Sequence, residues 1–452
     1  MNGTIAERLE RWRQRQFTHL EGFSPVTLSG RLLRINGMLL QCSLPQARIG
    51  ELCRVQAGSN AWILAEVIAC DQQDATLSAL ASLEGICAGA AVERLGAVHQ
   101  VRVGNDLLGQ VLDGFGRPLA GGDGGGFAWR PCEEANAVVC EAPLATQRPR
   151  IGRSLPTGVR AIDGLLTLGE GQRVGLFAGA GCGKTTLLAE IARNVECDVI
   201  VFGLVGERGR ELREFLDHEL DEELRGKAVL VCATSDRTSM ERARAAFTAT
   251  ALAEGFRRKG RRVLLLIDSL TRFARAQREI GLAAGEPLGR GGLPPSVYSL
   301  LPRLVERAGL TREGSITAIY TVLIEQDSMG DPVADEVRSL LDGHIVLSRK
   351  LAERGHYPAI DVLGSLSRIL SNVAAPEHMQ NMAAFRRLLS AHQQIELLLR
   401  LGEYQAGNDA LTDLAVESRQ RVEAFLRQDL REPATFQETL EHLSELTAHV
   451  PF

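Results

Sequence analysis

The feature that most constrains the fold is a glycine-rich run between an apolar segment and a helical pattern. The run consists of Ala178, Gly179, Ala180, Gly181, Cys182, Gly183, Lys184 and Thr185, followed by Thr186. Its glycines let backbone N–H groups converge on phosphate oxygens, and the N-terminus of the following helix adds partial positive charge. At this spacing we expect Lys184 to reach the β- and γ-phosphates of a nucleotide and the Thr185 hydroxyl to bind Mg²⁺. The run therefore predicts a phosphate loop, although Ala178 stands where the motif usually begins with glycine.

The residues around this loop alternate between apolar strands and helical segments. Five segments have the apolar composition of buried strands: 174–177, 199–202, 229–231, 263–267 and 316–323. A long helix is predicted over 238–259, between two of them. Strands buried on both faces and separated by helices are typical of a mainly parallel α/β sheet. The phosphate loop follows the first of these strands directly, which is the context that such a loop requires.

The segments on either side of this core show different patterns. Between residues 24 and 93, short β-rich pieces separated by turn signals predict a small β-barrel. Residues 114–126 are rich in glycine and predict a loop or linker. After Pro376 the strand pattern stops, and helical periodicity over 385–401 and 416–426 predicts a helical C-terminal domain.

The N-terminal segment predicts an amphipathic helix with several arginines on one face. Two interpretations of this helix stay open: a docking helix with a solvated charged face, or a reversible anchor to a membrane or partner. The predicted domains are therefore an N-terminal helix (1–23), a small β-barrel (24–93), a nucleotide-binding domain (94–375) and a helical domain (376–452).

Composition excludes several classes of protein. The net charge of −5 argues against a bulk electrostatic nucleic-acid binder. No apolar run approaches the roughly 20 residues that span a bilayer, and the N-terminus has no apolar signal core. The nine cysteines include no C-x-x-C spacing, which favours reduced thiols over a zinc site. We therefore expect a cytosolic protein, with association with a membrane surface left open.

Two acidic residues near predicted strand ends are candidates for the chemistry. Asp268 follows the strand at 263–267, where a carboxylate can organise Mg²⁺ across the sheet from the loop or cap the helix that begins after it. Glu207 follows the strand at 199–202, and a carboxylate there can polarise an attacking water. From the residues alone, Glu207 is one of many loop acids.

Several longer runs resemble the rotary ATP synthase α/β superfamily. They are residues 157–163, the phosphate loop, 206–208 and 358–368, the last of which matches that superfamily's signature. Other runs look more like its homohexameric export branch, the type III secretion and flagellar ATPases: 107–119, 169–173, 335–345 and 402–405. Within that branch the chain looks nearest to the secretion (injectisome or Hrp) type. The resemblance implies a RecA-like P-loop core.

The resemblance also implies roles for individual residues. Glu207 corresponds to the catalytic carboxylate of hydrolysing subunits, and Arg208 beside it would couple the site to the subunit interface. Tyr357 matches a tyrosine that stacks on adenine, the alternative being an ordinary packed aromatic. Arg368 matches an arginine finger that completes a neighbouring subunit's site, the alternative being a structural salt bridge. Cys182 departs from the common valine, and is either an easily oxidised thiol or a small apolar filler.

The function implied by the resemblance is ATP hydrolysis that energises type III protein secretion, with chaperone release and unfolding of export substrates. The implied cofactors are ATP and Mg²⁺. The implied partners are identical subunits in a hexamer, a stator-like regulator, a central-stalk protein and chaperone–effector complexes, at the cytosolic face of the inner membrane and without nucleic acid.

Other functions remain as alternatives. They are a flagellar export ATPase, the catalytic subunit of a rotary ATP synthase, an RNA-translocating ring helicase and a non-enzymatic nucleotide-binding subunit. A helicase barrel needs aromatics interleaved with basic residues, whereas this barrel has essentially one aromatic, Trp62, and no lysine. Glu207 and Arg368 oppose the non-enzymatic subunit.

Overall fold

The structure, a computed structural model, describes residues 9, 12–13, 29–58, 61–119, 135–324, 330–407 and 409–450. The predicted N-terminal helix lies almost entirely outside these residues, as does the predicted glycine-rich loop beyond residue 119. The chain divides into two compact units, Met1–Val98 and His99–Phe452. Among the described residues, the helices are too short or too polar to cross a membrane.

The first unit contains a closed, six-stranded antiparallel barrel with the strand order β1-β2-β5-β4-β3-β6. The strands are β1 (Ser29–Asn36), β2 (Leu39–Ser43), β3 (Glu51–Ala57), β4 (Ala61–Cys70), β5 (Asp74–Ala79) and β6 (Ala91–Val98). Successive side chains of a strand point to opposite faces, so inward residues such as Leu40, Leu77 and Val92 form a fully buried core. Closure leaves no unpaired strand edge. The last strand runs to Val98, beyond the predicted end of the barrel at residue 93.

The second unit is built on a nine-stranded sheet with the order β17-β16-β10-β15-β13-β11-β12-β8, to which β14 adds beside β15. The strands of this unit are β7 (Gln100–Arg102), β8 (Val111–Asp113), β9 (Ala135–Ala137), β10 (Arg173–Ala178), β11 (Val199–Glu207), β12 (Ala228–Thr234), β13 (Arg262–Asp268), β14 (Gly309–Leu310), β15 (Ser315–Leu323), β16 (Gly343–Leu347) and β17 (Ile360–Ser367). β7 and β9 pair separately. The strands from β16 to β8 are parallel to their neighbours, whereas β14 and β17 are antiparallel. Consequently β10, β11 and β13 end at the same edge of the sheet.

Helices cover the sheet and then form the C-terminal region. They are α1 (Arg160–Leu165), α2 (Lys184–Asn194), α3 (Gly209–Glu214), a π-helical turn (Phe215–Glu219), α4 (Glu222–Gly226), α5 (Ser239–Arg258), α6 (Leu270–Ala283), α7 (Pro295–Val305), α8 (Pro332–Leu340), α9 (Arg349–Glu353), α10 (Leu370–Val373), α11 (Pro376–Leu401), α12 (Ala410–Glu417), α13 (Arg419–Leu426) and α14 (Phe436–Thr447). The predicted helix over 238–259 is α5, capped by the Thr238 side chain. The predicted helix over 416–426 is divided at Ser418 into the end of α12 and the whole of α13. The Ser418 hydroxyl donates to the carbonyl of Leu414, a contact that often accompanies a bend in a helix.

The predicted fold class is confirmed: an α/β P-loop core with a mainly parallel sheet, a preceding β-barrel and a following helical domain. The domain limits given above stay predictions. Leu176, Phe202 and Leu266 lie on the sheet and are at most 1% exposed. Burial of each such side chain contributes about 1.5–3 kcal/mol. This packing holds the ends of the central strands in a fixed relative position.

Candidate nucleotide-binding and catalytic site

The phosphate loop lies where the sequence predicts it, between β10 and α2. β10 ends at Ala178, and α2 begins at Lys184. Gly181 and Gly183 have φ angles of 80° and 78°, in the left-handed region that favours glycine. A Cβ added to Gly183 would lie 3.6 Å from the Tyr357 ring, so this ring packs over the loop. The unpaired N–H groups of the first turn of α2 are thereby placed at the carboxyl edge of the sheet.

Lys184 lies between the two predicted carboxylates. Its Nζ is 2.5 and 2.7 Å from the two carboxylate oxygens of Asp268 and 3.7 Å from Glu207 Oε1. Glu207 ends β11 and Asp268 ends the neighbouring strand β13; they are 8% and 4% exposed. The Thr321 hydroxyl on β15 donates to Asp268 Oδ1 at 2.6 Å. Parallel register thus brings residues 84 positions apart in sequence into direct contact.

Thr185 and Asp268 supply the oxygen donors at this edge that suit a divalent cation. Together with Glu207 they line a cavity of about 490 Å³ beside the phosphate loop. Magnesium binds hard oxygen ligands and commonly takes one or two carboxylates, with phosphates and waters completing its shell. A hydroxyl and a carboxylate facing a phosphate loop fit that requirement.

The surroundings of Glu207 favour its protonated form near neutrality. Burial raises the pKa of Glu207 to about 7, helped by a hydrogen bond with Glu211 and by the negative charge of Asp268. Two cations oppose this rise, Lys184 and Arg272, and Arg272 Nη1 lies 2.9 Å from Glu207 Oε2. The same hydrogen bond lowers the pKa of Glu211, which therefore stays ionised. A carboxyl that titrates near pH 7 is matched to proton transfer at neutral pH.

We expect kcat/KM for ATP hydrolysis to rise with pH through about 7, because Glu207, as the predicted catalytic carboxylate, can polarise the attacking water only when it is ionised. Below that pH the carboxyl holds its proton and the rate falls. Steady-state rates between about pH 5.5 and 8.5 measure this acid limb. Glu211→Gln provides the comparison: it removes the carboxyl partner that raises the pKa of Glu207, so the limb shifts to lower pH. If the acid limb lay at the same pH in both proteins, its assignment to Glu207 would be contradicted. Titration of ATP itself cannot cause a difference, because it is the same for both proteins.

Arg208 and Cys182 lie outside the group of contacts that Lys184 makes with Asp268 and Glu207. The side chain of Arg208 is 78% exposed and lies 3.6 Å from Glu211. Its role at a subunit interface stays a prediction. Cys182 is 2% exposed and belongs to the hydrophobic core beneath the loop. That burial favours the interpretation of Cys182 as a small apolar filler.

Arg368 lies at the opposite edge of the sheet from the phosphate loop of its own chain. Its backbone N–H donates to the carbonyl of Asp342, and the Asp342 N–H donates to the carbonyl of Arg173, the first residue of β10. Arg173 is five residues before Ala178, which places Arg368 about 16 Å along the strand direction from the loop. Its side chain is exposed. Arg368 therefore lines neither of the cavities beside the phosphate loop of its own chain.

A second cavity, of about 540 Å³, lies on the other side of the loop. It is lined by Gly158, Val159, Gly181, Cys182, Gly183, Thr186, Leu187, Glu190, Leu347, Tyr357, Pro358, Ala359, Gln428, Asp429 and Leu430. Tyr357 is 46% exposed, unlike a packed core aromatic. An exposed ring beside a phosphate loop is suited to stacking on a nucleotide base.

Sequence reasoning missed several residues of the site. Arg272 lies four residues after Asp268, in the first turn of α6, and an arginine so close to a strand-end carboxylate was a usable signal. Thr321 lies inside an apolar strand, and its contact with Asp268 depends on sheet order. Gln428 and Leu430 come from a loop of the helical domain, and nothing in their local sequence indicates a nucleotide cavity.

Comparisons with known proteins agree with this geometry. The model of the ATP synthase alpha/beta family nucleotide-binding domain matches residues 158–367, and that of the T3SS EscN ATPase C-terminal domain matches residues 374–445. The chain is 64% identical over 445 residues to the type 3 secretion system ATPase of Pseudomonas syringae pv. tomato, covering 98% of this chain and 99% of the relative. The chain belongs to the type 3 secretion system ATPase family. The predicted family and enzyme class are thereby confirmed.

Solved structures of secretion ATPases share the fold of this member of the family. The assembled ATPase EscN of enteropathogenic E. coli superposes with a TM-score of 0.86 at 45% identity, covering 92% of this chain and 100% of EscN. EscN in complex with its central stalk EscO gives a TM-score of 0.84 at 44% identity, with the same coverage. The flagellum-specific ATP synthase of Bacillus subtilis is 44% identical, covering 93% of this chain and 95% of the relative. The 64% identity to the secretion ATPase of Pseudomonas syringae pv. tomato, against 44% to this flagellar relative, supports the secretion branch over the flagellar one.

Proposed function

We propose that this secretion ATPase hydrolyses MgATP at a site shared by two identical subunits, and that hydrolysis releases chaperones from export substrates and unfolds those substrates. The observation that carries the proposal is the contact of Lys184 with Asp268 and Glu207 at one sheet edge. Family membership supports the secretion role.

The residues at this edge of the sheet have distinct roles in hydrolysis. The loop amides and the Lys184 ammonium bind the β- and γ-phosphates. Thr185 and Asp268 would hold Mg²⁺, which neutralises negative charge on the phosphates. The Glu207 carboxylate orients the attacking water and accepts its proton. Arg272, 2.9 Å from Glu207 Oε2, keeps that carboxylate turned toward the site.

Arg368 acts on the nucleotide of a neighbouring subunit. Its position at the far edge of its own sheet supports this assignment, since its guanidinium is exposed and remote from the phosphate loop of the same chain. In the neighbour's site it stabilises negative charge that develops on the γ-phosphate. Such head-to-tail contacts close into a ring, for which we propose six subunits. Arg208, exposed beside Glu207, would couple this interface to the catalytic carboxylate.

The proposed partners extend this ring into the export apparatus. The complex of EscN with its central stalk supports a central-stalk protein as a partner. We place a stator-like regulator and chaperone–effector complexes around the ring, at the cytosolic face of the inner membrane.

In a Pseudomonas syringae strain that lacks its own secretion ATPase, we expect this chain to restore secretion of a reporter substrate. The Lys184→Ala variant should fail, because it lacks the cation that holds the transferred phosphate. Lys227→Ala is the matched control, since Lys227 lines neither cavity and pairs at 3.9 Å with Glu223, which is 90% exposed. Equal secretion from both variants would contradict ATP hydrolysis as the energy source. Recovery of motility in a flagellar ATPase mutant, without recovery of secretion, would favour the flagellar alternative.

A further inference from the structure

The loop that follows α13 forms one wall of the nucleotide cavity. Gln428, Asp429 and Leu430 line this cavity opposite residues of the phosphate loop and Tyr357. Leu430 is 62% exposed, so packing against the protein core does not hold it in place. Several hydrogen bonds connect this wall to the rest of its unit.

Gln428 is the centre of those hydrogen bonds. Its side-chain Nε2 donates to the carbonyls of Gly158 at 2.7 Å and Glu432 at 2.8 Å. Its Oε1 accepts from the backbone N–H of Arg160 at 2.9 Å. Its backbone N–H donates to the carbonyl of Tyr357 at 3.0 Å. A single residue of the helical domain is thus bonded to the core and to the residue that carries the stacking ring.

Arg160 adds a second set of bonds from the core to the same loop. Its guanidinium donates to the carbonyls of Phe425 at 3.0 Å and Ala424 at 3.3 Å, and also to that of Arg427. These carbonyls belong to the C-terminal turn of α13, where they have no partner within the helix and where a cation is favourable. Arg160 therefore fixes the helix end from which the cavity wall begins.

The segment at 157–163, which bonds to Gln428, is held in place by hydrogen bonds of its own. The buried Asp163 carboxylate accepts from the Thr157 N–H and hydroxyl, both at 2.8 Å, and from the Gly158 N–H at 2.9 Å. Gly158 has a φ of +74°, and a Cβ there would lie 2.9 Å from the Asn194 side chain. This explains why the run at 157–163 carries a glycine, an arginine and an aspartate at these positions.

We propose that Arg160 and Gln428 are positioning residues for nucleotide binding. Through their bonds to the loop they hold Leu430 and Tyr357 at the base end of the nucleotide, without contacting its phosphates. This proposal rests on the nucleotide site proposed above and adds to it a coupling between the core motif at 157–163 and the helical domain. Their removal weakens the part of the affinity that the base contributes.

Calorimetric titrations with MgADP and with magnesium tripolyphosphate distinguish the contribution of the base to the affinity from that of the phosphates, because tripolyphosphate has no base. In Arg160→Ala and in Gln428→Ala we expect the Kd for ADP to rise about 10-fold, while the Kd for tripolyphosphate changes less than about 2-fold. The double variant should lose no more than either single variant, since both residues hold the same loop. For hydrolysis, KM for ATP should rise while kcat at saturating ATP is retained.

Two variants calibrate this experiment. Tyr357→Ala removes the stacking ring and should show the same selective loss for ADP. Arg419→Ala removes an exposed arginine of α13 that pairs with Glu423 at 3.2 Å and does not line the nucleotide cavity, and this variant should bind both ligands like the parent chain. Equal losses for both ligands, or unchanged ADP affinity in both Arg160→Ala and Gln428→Ala, would overturn the proposal. Failure of the parent chain to bind ADP would instead contradict the nucleotide site itself.

Discussion

Glu207→Gln is expected to lower ATP turnover about 10³-fold, because the amide retains the size of the carboxylate but cannot accept the proton of the attacking water. Binding of MgADP should change little, since the phosphate loop and the cavity beside Tyr357 are untouched. Steady-state hydrolysis and calorimetry of the same preparation measure the two quantities.

Glu223→Gln is the matched control for this substitution. Unlike Glu207, Glu223 does not line the cavity: it lies on α4, its side chain is 90% exposed, and it pairs with Lys227 at 3.9 Å. Its loss should leave turnover within about 2-fold, as expected when an exposed ion pair is removed. Substantial turnover in Glu207→Gln would remove Glu207 from the catalytic role. Loss of nucleotide binding in that variant would show that the residue acts on binding.

Arg368→Ala is expected to lower turnover by a similar factor of about 10³, because in the proposed shared site the guanidinium stabilises charge on the γ-phosphate in the transition state. This variant has an intact Glu207, and Glu207→Gln has an intact Arg368. Mixing the two inactive proteins should therefore restore activity, since the proposed site takes Glu207 from one subunit and Arg368 from the next. In a random 1:1 mixture roughly one quarter of the interfaces combine both intact residues.

Arg354→Ala serves as the control for loss of a surface arginine, since Arg354 pairs at 3.2 Å with Glu396 and is 53% exposed. It should retain full turnover. A mixture of Arg368→Ala with Glu207→Gln that stays inactive, although the subunits exchange, would contradict action between subunits. Full activity of Arg368→Ala alone would assign that arginine to a structural role.

The success of sequence reasoning differed between local and non-local features. The phosphate loop was predictable because its glycines, lysine and threonine are consecutive, and their function depends on local backbone geometry. Strand positions followed from apolar composition, although β11 extends to Glu207, five residues past its predicted end. The division at Ser418 was missed because it does not disturb the apolar pattern from which the helix was predicted.

Contacts between distant residues of the site could not be predicted from the sequence. Arg272 and Thr321 contact Glu207 and Asp268 only because β11, β13 and β15 are neighbours in the sheet. Strand order is set by packing of the whole sheet and is not encoded in any single strand. The wall formed by Gln428 and Leu430 depends in the same way on how the helical domain lies against the core.

The sequence by itself determined the phosphate loop, the alternation of strands and helices and, through resemblance, the candidate roles of Glu207, Asp268, Tyr357 and Arg368. Only the tertiary structure decided that the first two carboxylates share Lys184, and that Arg368 lies at the opposite edge of the sheet from its own loop. The physical reason is that local motifs specify backbone conformation over a few residues, whereas contacts between distant residues arise from burial of the sheet and its register.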